Sequence, residues 1–400
     1  MKRIKHLVID YLLEPALPLR RLECCLEFLA RLAVRLRKPF IISITGSVGK
    51  STTTSMIAEA LAHKNLQHYV GRVASTVGNM NDDVGIPATL LRYGYGFELP
   101  YGYLARFRLL LSMPFRALWV ILTAYPRLIV LECGTDGRGR FARTINIAPP
   151  NIAVVTTIGA AHLENLRTLS GVAQEKGALV RAVSPSGLVI LGTDHDYVEL
   201  LEQMARAQVV KVSGRGVELS RQITMAICRH LGLPDDSVEL ALLDFRSPAG
   251  RLNRIEFPNM TVIDDTYNAN PLSTKLGLDT LAQIAESGHR RVAILGTMAE
   301  LGEQAALLHA EIGHYARERC DLLIGIGIMA KNFHPDLWFE TSDDCAAEIE
   351  ELIKTGDYIL VKGSASTKMS QVVKRIGGIN EASSARASPS PGSTNATAHT

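Results

Sequence analysis

The stretch Ile41-Ile-Ser-Ile-Thr-Gly-Ser-Val-Gly-Lys-Ser-Thr52 runs an apolar strand pattern straight into a glycine-rich turn, and a helical pattern follows. Glycines let backbone N–H groups close around phosphate oxygens, and the start of a helix adds a positive dipole. A lysine at position 50 then reaches the outer phosphates, and the Ser51 hydroxyl is placed to hold Mg²⁺. The strict pattern G-x-x-x-x-G-K-[ST] would put its first glycine at Ile44, whereas this chain has Gly46 and the shorter T-G-S-V-G-K-S. Strand before and helix after weigh against a plain surface turn, so Thr45, Gly46, Ser47, Gly49, Lys50, Ser51 and Thr52 are expected to bind the phosphates of ATP.

Outward from this loop, short apolar runs alternate with longer helical patterns, which predicts parallel sheets flanked by helices. Strands are expected at 40–45, 128–132, 152–156, 188–191 and 209–212, and a second series at 261–264, 291–295, 322–326 and 358–361. The expected fold class is therefore α/β, a P-loop-type central ATPase domain with a parallel sheet plus a C-terminal Rossmann-like α/β domain. The turn-rich Ser247-Pro-Ala-Gly250 marks the boundary. This gives a basic amphipathic helical leader at 1–39, a central domain at 40–248 with an apolar insertion near 99–127, a C-terminal domain at 249–378, and a tail at 379–400. The tail is too poor in apolar residues to offset its ordering entropy and is expected to be disordered.

Composition narrows the function. A net charge of +3 with no arginine–lysine run interleaved with aromatics argues against nucleic acid. Six cysteines without C-x-x-C spacing suggest neither a zinc ribbon nor a disulfide framework, and read as buried small hydrophobes in a cytoplasmic chain. The N-terminus imitates a signal peptide, but Asp10 interrupts it. In the insertion, Pro114 and Arg116 split two apolar pieces, neither of which reaches the ~18 residues of a spanning helix. Residues 11–39 and 101–125 fit either of two roles. They could lie as basic amphipathic helices on the inner face of the plasma membrane, or cover the nucleotide domain with arginine stems along apolar surface.

Chemistry-bearing residues follow the strands. Glu132 ends Leu128-Ile-Val-Leu-Glu132 at the ligand edge of a doubly wound sheet, His162 follows the next strand, and Lys176 lies on a helical stretch. Singly, the histidine suits a loop and the lysine a solvated face. Behind a phosphate loop, Ser51, Glu132 and His162 would together supply hydroxyl, carboxylate and imidazole ligands for Mg²⁺. His309, within Glu303–Glu318, reads as a packing residue.

Seven blocks in order resemble the Mur ligases. They are 45–52, Thr76-Val-Gly-Asn-Met-Asn-Asp-Asp-Val-Gly-Ile-Pro87, Leu131-Glu-Cys-Gly-Thr-Asp136, Ala160–Asn165 with Gln174-Glu-Lys-Gly177, Asp264-Asp-Thr-Tyr-Asn-Ala-Asn-Pro271, Leu295–Gly302 and Val361–Ser366. The nearest branch is the one that adds D-alanyl-D-alanine to a UDP-muramoyl tripeptide. The resemblance implies an amide-forming ligase of cell-wall precursor synthesis that works through an acyl phosphate, acts on small-molecule and peptide precursors and is monomeric. It implies catalytic roles for Lys50, His162 and Lys176, the last carbamylated. It also implies phosphate contact by Arg251, nucleoside contact by Asp265 and Asn268, and acceptor-substrate contact by Asn79 and Lys362.

The chain departs from that family in three places. The loop begins about forty residues in, without the family's N-terminal UDP-binding domain; the asparagine that contacts adenine is not matched between Asp196 and Gly232; and the insertion is additional. These departures leave open a Mur-type ligase with another acceptor, such as a polyglutamate, a cofactor carboxylate or a membrane-associated precursor. They also leave open a non-catalytic nucleotide-binding scaffold, against which joint retention of Lys50, Ser51, Glu132, His162 and Lys176 argues.

Overall fold

A computed structural model of the chain describes residues 19–78, 80–93, 103–123, 125–135 and 137–387. The chain divides into two compact units, one ending at Pro248 and one beginning at Ala249.

The first unit is built on a six-stranded sheet of β1 (Phe40–Thr45), β2 (Val73–Ser75), β3 (Leu128–Glu132), β4 (Ile152–Val155), β5 (Leu188–Gly192) and β6 (Gln208–Val212). Their spatial order is β2-β3-β1-β4-β5-β6, and every pairing is parallel. Central strands of such a sheet are covered on both faces, which is why β3, β4 and β5 are buried throughout and read as unbroken apolar runs. Helices Lys50–Ala62, Gly216–His230 and Asp235–Leu243 close one core through Ile57, Leu61, Ile223, Ile227 and Val238 against Ile42, Ile44, Val130 and Val154. β1 lies between β3 and β4, where the strand order reverses. At such a point the connections leave to opposite sides and open a crevice beyond the strand ends. The registers Ile44↔Glu132 and Thr45↔Val155 bring the phosphate loop, Glu132 and the loop after β4 to that one edge.

The second unit carries β7 (Asn253–Phe257), β8 (Met260–Asp265), β9 (Arg291–Gly296), β10 (Leu322–Ile326), β11 (Leu337–Phe339) and β12 (Tyr358–Lys362) in the order β11-β10-β9-β12-β8-β7. Only β7 is antiparallel.

The α/β class is as expected, and three strands, β2, β7 and β11, go beyond the sequence reading. β2 and β11 are three residues long, too short to show a period, and β7 alternates half-buried with exposed residues at a sheet edge. The insertion corrects its reading. A single helix, Tyr103–Leu122, passes through Pro114, whose ring lies on the exposed side, and Arg116 folds back to donate to Leu91 O at 3.0 Å. No helix among the described residues is long and apolar enough to cross a membrane. The last helix, Ser370–Ala387, continues past Gly378, so residues 379–387 are helical where a disordered tail was expected. Four of the six cysteines are buried as expected, whereas Cys25 is half-buried and Cys24 is exposed on the leader helix Leu19–Arg37.

Candidate active site

The chain leaves β1 through Gly46, at φ +151°, and enters the next helix through Gly49, at φ +84°. A Cβ on Gly46 would run into the Thr156 hydroxyl, so only glycine lets the loop lie on the end of β4. The loop is stitched there. Ser47 N–H donates to Thr157 O at 2.8 Å, Val48 N–H to Thr157 Oγ1 at 3.0 Å, and the Thr156 hydroxyl to Val48 O at 2.5 Å. The Ser47 hydroxyl donates to Gly159 O and accepts from Gly159 N–H. Helix Lys50–Ala62 then begins with neither a side-chain cap nor an acidic residue in its first turn. Its opening amides and dipole suit an anion. Thr52 is buried in that turn, and the buried Thr45 hydroxyl at the end of β1 has no partner among the described residues.

Two lysines converge on one carbonyl of this loop. Lys50 Nζ donates to Gly46 O at 2.9 Å, and Lys176 Nζ, from helix Leu169–Ala182, donates to the same oxygen at 3.1 Å. Lys176 is 1% exposed. Burial, then the charge of Lys50, push its ammonium well below the usual lysine range, opposed by neighbouring Glu175. Glu175 is itself held by the backbone amides of Gly139 and Phe141, at the start of helix Arg140–Ile147.

Beside Lys50 in the chain, the Ser51 hydroxyl donates to Glu132 Oε2 at 2.6 Å, and Asn81 Nδ2 donates to Glu132 Oε1 at 2.9 Å. Glu132 is buried, and its amide donates to Thr76 Oγ1 at 2.7 Å. Hydroxyl and carboxylate oxygens are hard donors of the kind Mg²⁺ takes, so the pair fits that ion. No group of three His, Cys, Asp or Glu side chains suited to a metal occurs among the described residues. His162 is half-buried in the loop after β4, at φ +55°, directly before a short helix at Leu163–Leu166.

Asn81, within the block 76–87, and Thr156 and Thr157 are not singled out by the sequence alone. Two hydroxyls directly after an apolar strand were the available signal. Asn79 lies outside the described residues.

In the second unit, the expected residues are tied to one another. Gly250, at φ +70°, brings the backbone against Tyr267, whose N–H donates to Gly250 O at 3.1 Å. Arg251 stacks on the Tyr267 ring at 3.6 Å. Asp265 accepts from Leu252 N–H at 3.2 Å and from Lys362 Nζ at 2.6 Å, and Lys362 also donates to Asn268 O at 2.9 Å. Lys362 is only 2% exposed, and its internal ion pair with Asp265 shapes the loop 264–271. Asp265 uses one acceptor position on each oxygen in these two contacts. Asn268 Oδ1 accepts from Ala269 N–H, and Asn270 caps helix Pro271–Ile284 in a capping box with Ser273. His309 is fully buried between Met298 N–H, which donates to Nε2 at 3.0 Å, and Ala305 O, 2.6 Å from Nδ1. It packs, as expected.

The profile of the Mur ligase middle domain matches residues 44–98 and 119–231, and that of the Mur ligase glutamate ligase domain matches 250–365. The chain belongs to the Mur ligase family. A relative from Mycobacterium tuberculosis, UDP-N-acetylmuramoyl-tripeptide–D-alanyl-D-alanine ligase, is 31% identical over 69% of this chain and 56% of its own length. The chain therefore spans little more than half of that relative. Among solved structures, the MurF ligase of Thermotoga maritima in complex with ADP superposes with a TM-score of 0.73 at 21% identity, covering 90% of this chain and 84% of that one. Escherichia coli FolC in complex with ADP gives 0.63 at 18% identity, with 90% and 94% covered. Two proteins of different names thus share the fold. The middle-domain match breaks between 98 and 119, setting the insertion apart from what Mur ligases have in common. It continues across residues 196–231, a stretch that contains no asparagine.

Proposed function

We propose that the chain is an ATP- and Mg²⁺-dependent ligase that joins D-alanyl-D-alanine to the carboxylate of a muramoyl-peptide cell-wall precursor. The observation that carries this reading is the convergence of Lys50 and Lys176 on Gly46 O, next to the Ser51–Glu132 pair. A carboxylate oxygen of the precursor attacks the γ-phosphorus, ADP leaves, and an acyl phosphate forms. The incoming amine then attacks the acyl carbon, phosphate leaves, and the amide remains. Positioning and charge neutralisation dominate such transfers. Lys50 neutralises the phosphoryl group in flight, and the uncapped helix start orients the leaving diphosphate. Ser51 and Glu132 would hold one Mg²⁺ and His162 would help hold a second, each supplying positive charge against the phosphates. Arg251 and Asn268 are the proposed nucleotide contacts of the second unit, and Asn79 that of the acceptor.

Lys176 has the right surroundings for the carbamate proposed for it. Burial beside Lys50 favours the neutral amine, the form that adds carbon dioxide. The N–C bond forms, the amine proton leaves to solvent, and a cation becomes an anion suited to a site of positive charge. The enzyme is proposed to work in the cytoplasm, as a monomer.

A second reading, a Mur-type ligase with a different acceptor, is favoured by the insertion that the family profile skips. Phosphate release is measured with ATP, Mg²⁺, bicarbonate, UDP-muramoyl tripeptide and D-alanyl-D-alanine, each substrate alone and then both. Release that needs both, with the amide product in the mass spectrum, is the expected result. Nucleotide binding without release would move the assignment to the second reading.

A further inference from the structure

Two helices of the first unit lie largely outside the stretch shared with other Mur ligases. The leader helix Leu19–Arg37 precedes residue 44, and most of the insertion helix Tyr103–Leu122 falls between 98 and 119. They pack on each other. Leu22, Leu26, Ala30 and Ala33 line the inner side of the leader, and Met113, Ala117 and Val120 that of the insertion. The outer sides are apolar as well. On the leader, Phe28 (63% exposed), Leu32 and Leu36 recur every fourth residue. On the insertion helix, Leu111, Phe115 (74%), Leu118 and Leu122 (73%) form a second stripe. Contiguous exposed apolar surface of this kind marks a site of interaction.

The charges say with what. Around its stripe the leader helix carries Arg20, Arg21, Arg31, Arg35 and Arg37, with Lys38 directly after it, and the insertion helix adds the exposed Arg108 and no acid, its Arg106 being buried and its Arg116 turned back onto Leu91 O. The two carboxylates of the leader helix are directed elsewhere. Glu27 pairs with Arg143 of helix Arg140–Ile147, and the charge of Glu23 acts on the same arginine. Trp119, half exposed beside the stripe, has the Arg116 guanidinium over its ring at 4.7 Å and that of Arg92 at 5.3 Å. An amphipathic ring under cations suits the boundary between acyl chains and headgroups.

We propose that the outer faces of these two helices form a docking surface for an anionic lipid bilayer. Acyl chains accept the stripes and acidic headgroups accept the arginines. Neither helix is long and apolar enough to span, so the pair lies on the surface. A second copy of the chain fits less well, because a two-fold contact would press the same cationic face against itself.

The test is co-sedimentation of the full chain with vesicles of phosphatidylcholine alone or with phosphatidylglycerol, at low and high salt. Binding is expected to the anionic vesicles, weaker to neutral ones, and falling with salt. Phe115→Glu with Leu122→Glu should weaken it at least about tenfold. Arg21→Glu with Arg35→Glu, on exposed positions that leave the fold intact, should weaken it and remove most of its salt dependence. Lys50→Ala, inactive under the proposed function, should bind vesicles like the wild type, so the two readings fail separately. Wild-type protein that stays in solution with anionic vesicles would overturn the proposal. So would a concentration-dependent dimer in light scattering that Phe115→Glu abolishes, which would give the face to a second copy.

Discussion

Each unit of this protein buries one lysine beside the carboxyl edge of a parallel sheet, and the two are answered differently. Lys362 meets the carboxylate of Asp265 and a carbonyl, so its charge is matched and its work is to hold a loop. Among the described residues Lys176 hydrogen-bonds only to a carbonyl, with a second lysine on the same oxygen. A buried ammonium without a matching anion gives up its proton, and a buried ammonium with one becomes structure. Burial is common to both, so what faces the amine sets its role.

The most damaging substitution should be Lys362→Met. It leaves Asp265 buried without its cation, and a loss of about 3–5 kcal/mol in chemical denaturation is expected. Adding Asp265→Asn should recover much of it. A negligible cost for the single variant would break the comparison from the structural side.

Lys176→Met should lower kcat by about 10²–10³-fold, the scale of losing one preorganised charge at a reacting centre. Its effect on stability should have the opposite sign to that of Lys362→Met. Between the depressed pKa of folded Lys176 and about 10.5, the unfolded chain binds the extra proton, so wild-type stability rises with pH across that window. At neutral pH in bicarbonate-free buffer, the variant should therefore melt above the wild type, and the gap should narrow as the pH approaches the upper limit. A variant that melts lower and keeps its activity would make Lys176 a second Lys362. Lys176→Ala should regain part of its activity with a short carboxylic acid.

Smaller effects sharpen the picture at the neighbouring groups. Asn81→Ala frees Glu132 Oε1 and should raise the Mg²⁺ requirement about tenfold with kcat less affected, as substitutions that loosen a metal ligand do. His309→Phe, in the second unit, should cost about 1–2 kcal/mol through the unpaired amide of Met298. Burial lowers the His309 pKa, so the unfolded chain takes up the proton first as pH falls below about 6.5. Wild-type stability from this residue is thus lost on acidification, and the variant should show a flatter melting profile there.

The strand, loop and helix around Lys50 were legible because each depends on residues within a dozen positions. Apolar alternation, two glycines and a helix start leave few other conformations for that stretch. Glu132 could be placed at a strand end for the same reason. Its partner Asn81 could not, since 51 residues separate them and only the adjacency of β2 and β3 brings their ends together. The ion pair of Lys362 was hidden for a related reason. Its carboxylate lies 97 positions earlier on the neighbouring strand. The insertion showed its apolar character but not its continuity, because Pro114 removes a helical hydrogen bond and so reads as a break, yet the helix packed on the leader continues through it.

By itself, the sequence determined that an apolar strand enters a helix through a glycine turn at 46–49 and that two α/β units follow one another, since periodicity and turn chemistry act over short spans. Tertiary structure decided which lysine faces an anion, what holds Glu132, and which side of the leader helix is left outward. Each of those depends on parallel crossovers that place distant residues side by side, and a charge's cost is set by those neighbours rather than by its own position in the chain.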